Sequence, residues 1–117
     1  MIQRTNTILY CQKWLETVAF YRDTLALPIA FENDWFVEFK LGEAGFLSVA
    51  NEARATVKTA HGLGLTLAWQ VDDVDNWRTI LIANGVDCTP TKIKWGAKAT
   101  YFHDPEGHRI ELWQPLQ

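Results

Sequence analysis

At 117 residues, 48% of them apolar and 21% charged, the chain has the size and composition of one compact domain with a real core, which excludes disorder. Eleven Lys and Arg against fourteen Asp and Glu give a formal net charge of −3, so no basic surplus is available for phosphates and no nucleic acid partner is expected. No apolar stretch approaches bilayer length, and residues 1–6 lack the apolar centre of a signal peptide, so the expectation is a cytoplasmic protein with no membrane partner.

Residues 5–11 alternate threonine with branched residues and predict a first strand. From Trp14, apolar residues (Trp14, Leu15, Val18, Phe20, Tyr21, Leu25, Leu27) recur at helical spacing until Pro28, predicting about three turns of amphipathic helix. Segments 29–32, 35–41 and 45–50 read as three hairpin-linked strands, and the polar stretch 51–64, ending in His61-Gly62-Leu63-Gly64, as a connection. The order then begins again. Residues 65–71 predict a strand, and Asp72, Asp73 and Asp75 a helix start stabilised by capping and by the helix dipole. Val74, Trp77, Ile80 and Leu81 predict the helix itself, closed by Asn84-Gly85. Strands follow at 88–95, 97–103 and 109–114, the last two separated by the turn Asp104-Pro105-Glu106-Gly107.

The pattern is βαβββ written twice, with half-modules at about 1–51 and 63–117 of a single domain. A shift of 60 residues carries Asn6 onto Thr66 and Phe20 onto Ile80, and a shift of 63 carries Phe46 onto Arg109. Two such halves imply an α+β fold, a curved mixed sheet around a cleft with helices on the outer face. Cys11 and Cys88 have no metal or disulfide spacing and read as buried thiols. Six Trp, six Phe and three Tyr exceed what a small core needs, so some rings are expected to line a cavity.

Three segments carry a family resemblance: Phe20-Tyr21-Arg22-Asp23-Thr24-Leu25, Val71-Asp72-Asp73-Val74 and, above all, residues 102–112, Phe-His-Asp-Pro-Glu-Gly-His-Arg-Ile-Glu-Leu. In this order they resemble the vicinal oxygen chelate superfamily, the group of glyoxalase I, bleomycin-resistance proteins, fosfomycin-resistance transferases and extradiol dioxygenases. The resemblance implies the fold above and, in the metalloenzymes, a divalent ion held by His, Gln or Glu from the first and last strand of each half. Here those positions carry Asn6, Ser48, Thr66 and Glu111. Only Glu111 is a ligand of the family type, because amide and hydroxyl oxygens hold a divalent ion weakly. Neither a metal nor another cofactor is therefore expected.

Strand alternation extends the candidate site. Arg109 and Trp113 share the face of Glu111; Asn6, Ile8 and Tyr10 lie on one face of the first strand; Phe46, Ser48 and Ala50 share a face, as do Thr66, Ala68 and Gln70. Trp35 and Trp95 join Trp113 as candidate walls. Glu111 is expected to pair with Arg109 or Arg4, or to carry a raised pKa suited to a general base. His61, His103 and His108 have no chelating spacing and are assigned to turns, and Lys94 and Lys98 are the candidates for meeting an anion. The leading reading is a protein that binds a small organic molecule in an aromatic cleft, acting as a homodimer by resemblance. The alternatives are a glyoxalase-like lyase or isomerase, or a dioxygenase-like enzyme, using Glu111 as base or metal ligand, and a structural module with an unused cleft.

Overall fold

The structure, a computed structural model, describes residues 1–116. It divides into two units, Met1–His61 and Gly62–Gln117. In the first, β1 (Thr5–Cys11) leads to α1 (Trp14–Ala19) and a π-helical turn (Phe20–Thr24), then to β2 (Ile29–Glu32), β3 (Phe36–Leu41) and β4 (Gly45–Asn51). The strands lie in the order β1-β4-β3-β2, with β1 and β4 parallel and the other neighbours antiparallel. In the second, β5 (Thr66–Gln70), α2 (Val74–Ala83), β6 (Lys92–Lys94), β7 (Ala97–His103) and β8 (Arg109–Pro115) repeat that arrangement in the order β5-β8-β7-β6. The fold is therefore α+β, two mixed four-stranded sheets, each made by a βαβββ module.

In each module the last strand lies between the first and the third, and this decides where the site residues stand. Asn6 pairs with Phe46 and Thr66 with Arg109. These are the positions that the shifts of 60 and 63 residues bring into register. Alternation then sorts the faces. Leu9, Cys11, Phe39, Leu47 and Val49 are buried in the first module together with Val18, Tyr21 and Leu25 from its helical segment. In the second, Leu67, Phe102, Ile110 and Leu112 are buried together with Val74 and Leu81 of α2. The side chain of Asp73 caps α2 by accepting the Asn76 N–H at 3.0 Å, and Gly85 leaves the helix at φ +83°.

Three expectations need correction. The first helix is not one regular amphipathic run: after Ala19 it widens, with the Leu25 N–H bonding the Phe20 carbonyl five residues back. Apolar spacing cannot distinguish the two windings over so short a segment. Leu15 and Ile80, assigned to the apolar stripes, are 73% and 45% exposed. The strand expected over 88–95 shrinks to Lys92–Lys94. Pro90 has no N–H for a ladder, and the chain before β6 is instead tied down at Thr89. There the Thr89 N–H bonds the Tyr101 carbonyl, and the Thr89 carbonyl accepts from Thr100 Oγ1 at 2.8 Å and Arg78 Nε at 2.9 Å.

The turn between β7 and β8 is fixed by Asp104, which is almost wholly buried. Its Oδ1 accepts the backbone N–H groups of Glu106, Gly107 and His108 at 2.9–3.0 Å, and its Oδ2 lies 2.8 Å from His108 Nδ1. His108 thus has the turn role expected of it. Against this turn lies Gly62, at φ +78°, where a β-carbon would collide with the Gly107 carbonyl. Gly64, at φ +76°, faces open space. Gly64→Ala is expected to cost only the left-handed backbone penalty of about 1–2 kcal/mol. Gly62→Ala adds displacement of the turn and should cost about 3 kcal/mol or more, read as the difference between the two midpoints in urea unfolding.

Candidate functional site

Where β6, β7 and β8 turn one face away from α2, the second module forms a cavity of about 610 Å³. Alternation selects its lining. Ala97, Ala99, Tyr101 and His103 face it from β7, while Thr100 and Phe102, on the opposite face, are buried. Arg109, Glu111 and Trp113 face it from β8, Lys92 and Lys94 from β6, and Trp95 from the β6–β7 turn. Trp95 is 91% exposed and left-handed at φ 55°, so its ring is an outer edge of the cavity.

The polar groups of this face form two short chains. Tyr101 stands opposite Glu111 on neighbouring strands, and its hydroxyl donates to Glu111 Oε2 at 2.8 Å. The carboxylate beside it, with burial second, pushes the Tyr101 phenol above its ordinary value, because losing the proton would set two anions side by side. Arg109 Nε donates to Thr66 Oγ1 at 2.9 Å, across the β5–β8 pairing, and its guanidinium lies 4.9 Å from the centre of the Tyr101 ring. The expected pairing of Glu111 with Arg109 or Arg4 is therefore corrected: its partner is the Tyr101 hydroxyl. Nor does Lys98 meet the cavity; it pairs with Asp75 at 2.7 Å on the face that carries α2.

The first module carries a related set with acid and hydroxyl exchanged. Glu38 of β3 stands opposite Ser48 of β4. Ser48 Oγ donates to Asn6 Oδ1 at 2.8 Å, Asn6 Nδ2 donates to Glu38 Oε2 at 3.3 Å, and Arg4 donates to Glu38 Oε1 at 2.7 Å. The Arg4 guanidinium also covers the Phe46 ring at 3.6 Å. Tyr10, half-buried, lies two pairs along β1 from Ile8 and opposite Ala50. Trp35 is in the turn before β3, edge-on to Phe36. Gln70, exposed at the end of β5, pairs with Trp113 and does not line the cavity of its module.

Of the expected residues, the second module thus brings together Thr66, Trp95, Arg109, Glu111 and Trp113, and the first brings together Asn6, Phe46 and Ser48. Tyr101, His103 and Glu38 were not foreseen as site residues. Counting back across the Asp104-Pro105-Glu106-Gly107 turn, from 109 against 103 to 111 against 101, is the signal that identifies Tyr101.

The donor set does not suit the divalent ion of the metalloenzymes. Ser48 and Asn6 are bonded to each other, Thr66 accepts from a guanidinium, and that fixed positive charge stands beside the one carboxylate. Among the described residues no group of three His, Cys, Asp or Glu side chains converges as a metal site.

A family model of the Glyoxalase/Bleomycin resistance protein/Dioxygenase superfamily matches residues 5–112, and the chain belongs to that superfamily. Bacillus subtilis YraH is 30% identical, over 86% of this chain and 89% of its own. The metallothiol transferase FosB of Staphylococcus saprophyticus is 29% identical, over 96% of this chain and 77% of its own. The crystal structure of TnmS3, an antibiotic binding protein from Streptomyces sp. CB03234, superposes with a TM-score of 0.82 at 21% identity, covering 98% and 97% of the two chains. At that identity the likeness is one of fold.

The Tyr101–Glu111 bond has a pH signature. A raised phenol pKa means that the folded state holds this proton more tightly than the unfolded state. The bond's contribution is therefore complete below the ordinary phenol value of about 10 and is lost as pH rises through the raised one. Glu111→Gln should lower the Tyr101 transition toward the ordinary value. Phenolate absorbance, with Tyr101→Phe as the subtraction, checks it; an unmoved transition contradicts the pairing.

Proposed function

We propose that the protein binds and sequesters a small planar aromatic molecule in the cavity of its second module, with Trp113 and Trp95 as walls. The observation that carries this reading is the state of the polar groups between those walls. Arg109 is bonded to Thr66, and Tyr101 to Glu111 with its phenol pKa raised rather than lowered, so the site offers apolar area and fixed hydrogen-bonding groups rather than an activated nucleophile. The fold shared with TnmS3, described as an antibiotic binding protein, supports the same reading. Asn6, Tyr10, Trp35, Phe46 and Ser48 of the first module, and Thr66 and Gln70 of β5, are proposed as ligand contacts within their own modules, outside the lining of this cavity. The proposal extends to a cytoplasmic protein in which residues 1–117 form a single domain and two copies pair as a homodimer, the pairing being what the family resemblance implies.

A second reading, a lyase or isomerase with Glu111 as base, is favoured by the half-buried carboxylate lining the cavity. The two separate in one experiment. Tryptophan fluorescence is titrated with a panel of neutral planar aromatics, and the products are analysed. On the binding reading Trp113→Ala weakens association about tenfold, from lost stacking and lost area, and Glu111→Gln leaves the ligands chemically unchanged, as the parent does. Turnover by the parent that Glu111→Gln abolishes would install the enzyme reading instead. Light scattering on the purified protein tests the homodimer, for which twice the chain mass is expected.

A further inference from the structure

The two modules handle their arginines differently. Arg4 is neutralised by Glu38 at 2.7 Å. Arg109, in contrast, holds the neutral Thr66 hydroxyl through Nε and stacks on Tyr101, and among the described residues its terminal nitrogens have no carboxylate partner. Lys92 and Lys94, two apart on β6 and so on one face, line the same cavity, also without an ion pair among the described residues. Three cations thus face one carboxylate, Glu111, whose Oε2 already accepts from Tyr101. This surplus stands in a chain whose net charge is −3. The rings of Trp95 and Trp113 border the same space.

We propose that the occupant of this cavity is a planar aromatic carboxylate, its ring against the tryptophans and its carboxylate on the free edge of the Arg109 guanidinium, with Lys92 and Lys94 drawing it in. The inference rests on the binding reading above and narrows it to a ligand class. A guanidinium is the donor of choice here because its planar pair of N–H groups matches a carboxylate and its charge is never lost by deprotonation. Fixing Nε on Thr66 sets the plane of the fork in advance, which reduces the ordering cost of binding.

The test uses the whole protein and three matched pairs: benzoate, 2-naphthoate and anthracene-2-carboxylate, each with its neutral primary amide, titrated by calorimetry at low and high salt. At least one acid should bind about tenfold or more tighter than its amide, with a preference that shrinks as salt rises. Arg109→Met should bring the acid-to-amide ratio toward one. Lys92→Gln/Lys94→Gln, on an exposed strand, should reduce both the ratio and its salt dependence, and it decides the matter if the arginine variant fails to fold. Acids and amides binding equally overturn the charge inference and leave the aromatic-binding reading standing. An acid preference untouched in a folded Arg109→Met protein removes Arg109 as the anchor. Absence of binding by either series up to about 1 mM overturns both readings.

Discussion

The second module depends on the carboxylate of Asp104. By collecting three consecutive turn N–H groups and the His108 ring, it sets the offset at which β8 leaves β7. The offset admits no slack. A slip of one residue would exchange the two faces of β8, bringing Ile110 and Leu112, now buried against the core, to the cavity side and taking Glu111 into the core. Two aliphatic side chains would be exposed and a carboxylate buried without its partner, each change costing several kcal/mol. The register that puts Tyr101 opposite Glu111 and Arg109 opposite Thr66 is thus fixed by core packing and by one buried acid. The site inherits its precision from both.

The same scaffold solves a different electrostatic problem in each module. Glu38 and Tyr101 occupy matching places on the third strands, Ser48 and Glu111 on the fourth, so acid and hydroxyl have changed strands between the halves. In the first module the acid lies within reach of Arg4, and the chain Arg4–Glu38–Asn6–Ser48 is neutral as a whole. In the second the acid is engaged by a phenol, which is neutral, and the arginine by a threonine, also neutral. Hydrogen bonds are satisfied in both, but only in the first do acid and arginine pair with each other, and the face of the second carries Lys92 and Lys94 in addition. Field strength in a partly enclosed space depends on the balance of charge more than on the count of hydrogen bonds.

Much of this was legible in the residues. Alternation delimits β1 and β7 to the residue, the Asp73 cap and Asn84-Gly85 bound α2, and the repeat shifts put Asn6 beside Phe46 and Thr66 beside Arg109. The partner of Glu111 was not, because alternation relates Glu111 to Arg109 on its own strand, whereas the contact crosses to β7. Neighbours two apart on a strand point in parallel; directly opposed residues on adjacent strands converge. The strand expected from Trp35 begins one residue later, at Phe36, because Asn33 accepts the backbone N–H groups of both Trp35 and Phe36 and turns the chain there, although the Trp35 carbonyl still accepts the Asn51 N–H of β4. The loss of most of the strand at 88–95 follows from Pro90, whose effect outweighs the apolar and threonine residues around it.

A site that meets an anion with a guanidinium is suited to different work from one that meets it with a divalent ion. Both are cations and both orient an anionic group, but a metal also offers open coordination positions and ionises a bound water. Arg109 offers directed N–H bonds alone, at a charge that no accessible pH removes. Its attachment to Thr66 also occupies an oxygen at one of the positions from which the family draws its ligands. On the proposed reading, such a site recognises an anion without activating one. A site of that kind gains nothing from a strong base close by, and here the one carboxylate on the face is held by the Tyr101 hydroxyl, an arrangement that orders the wall of a pocket.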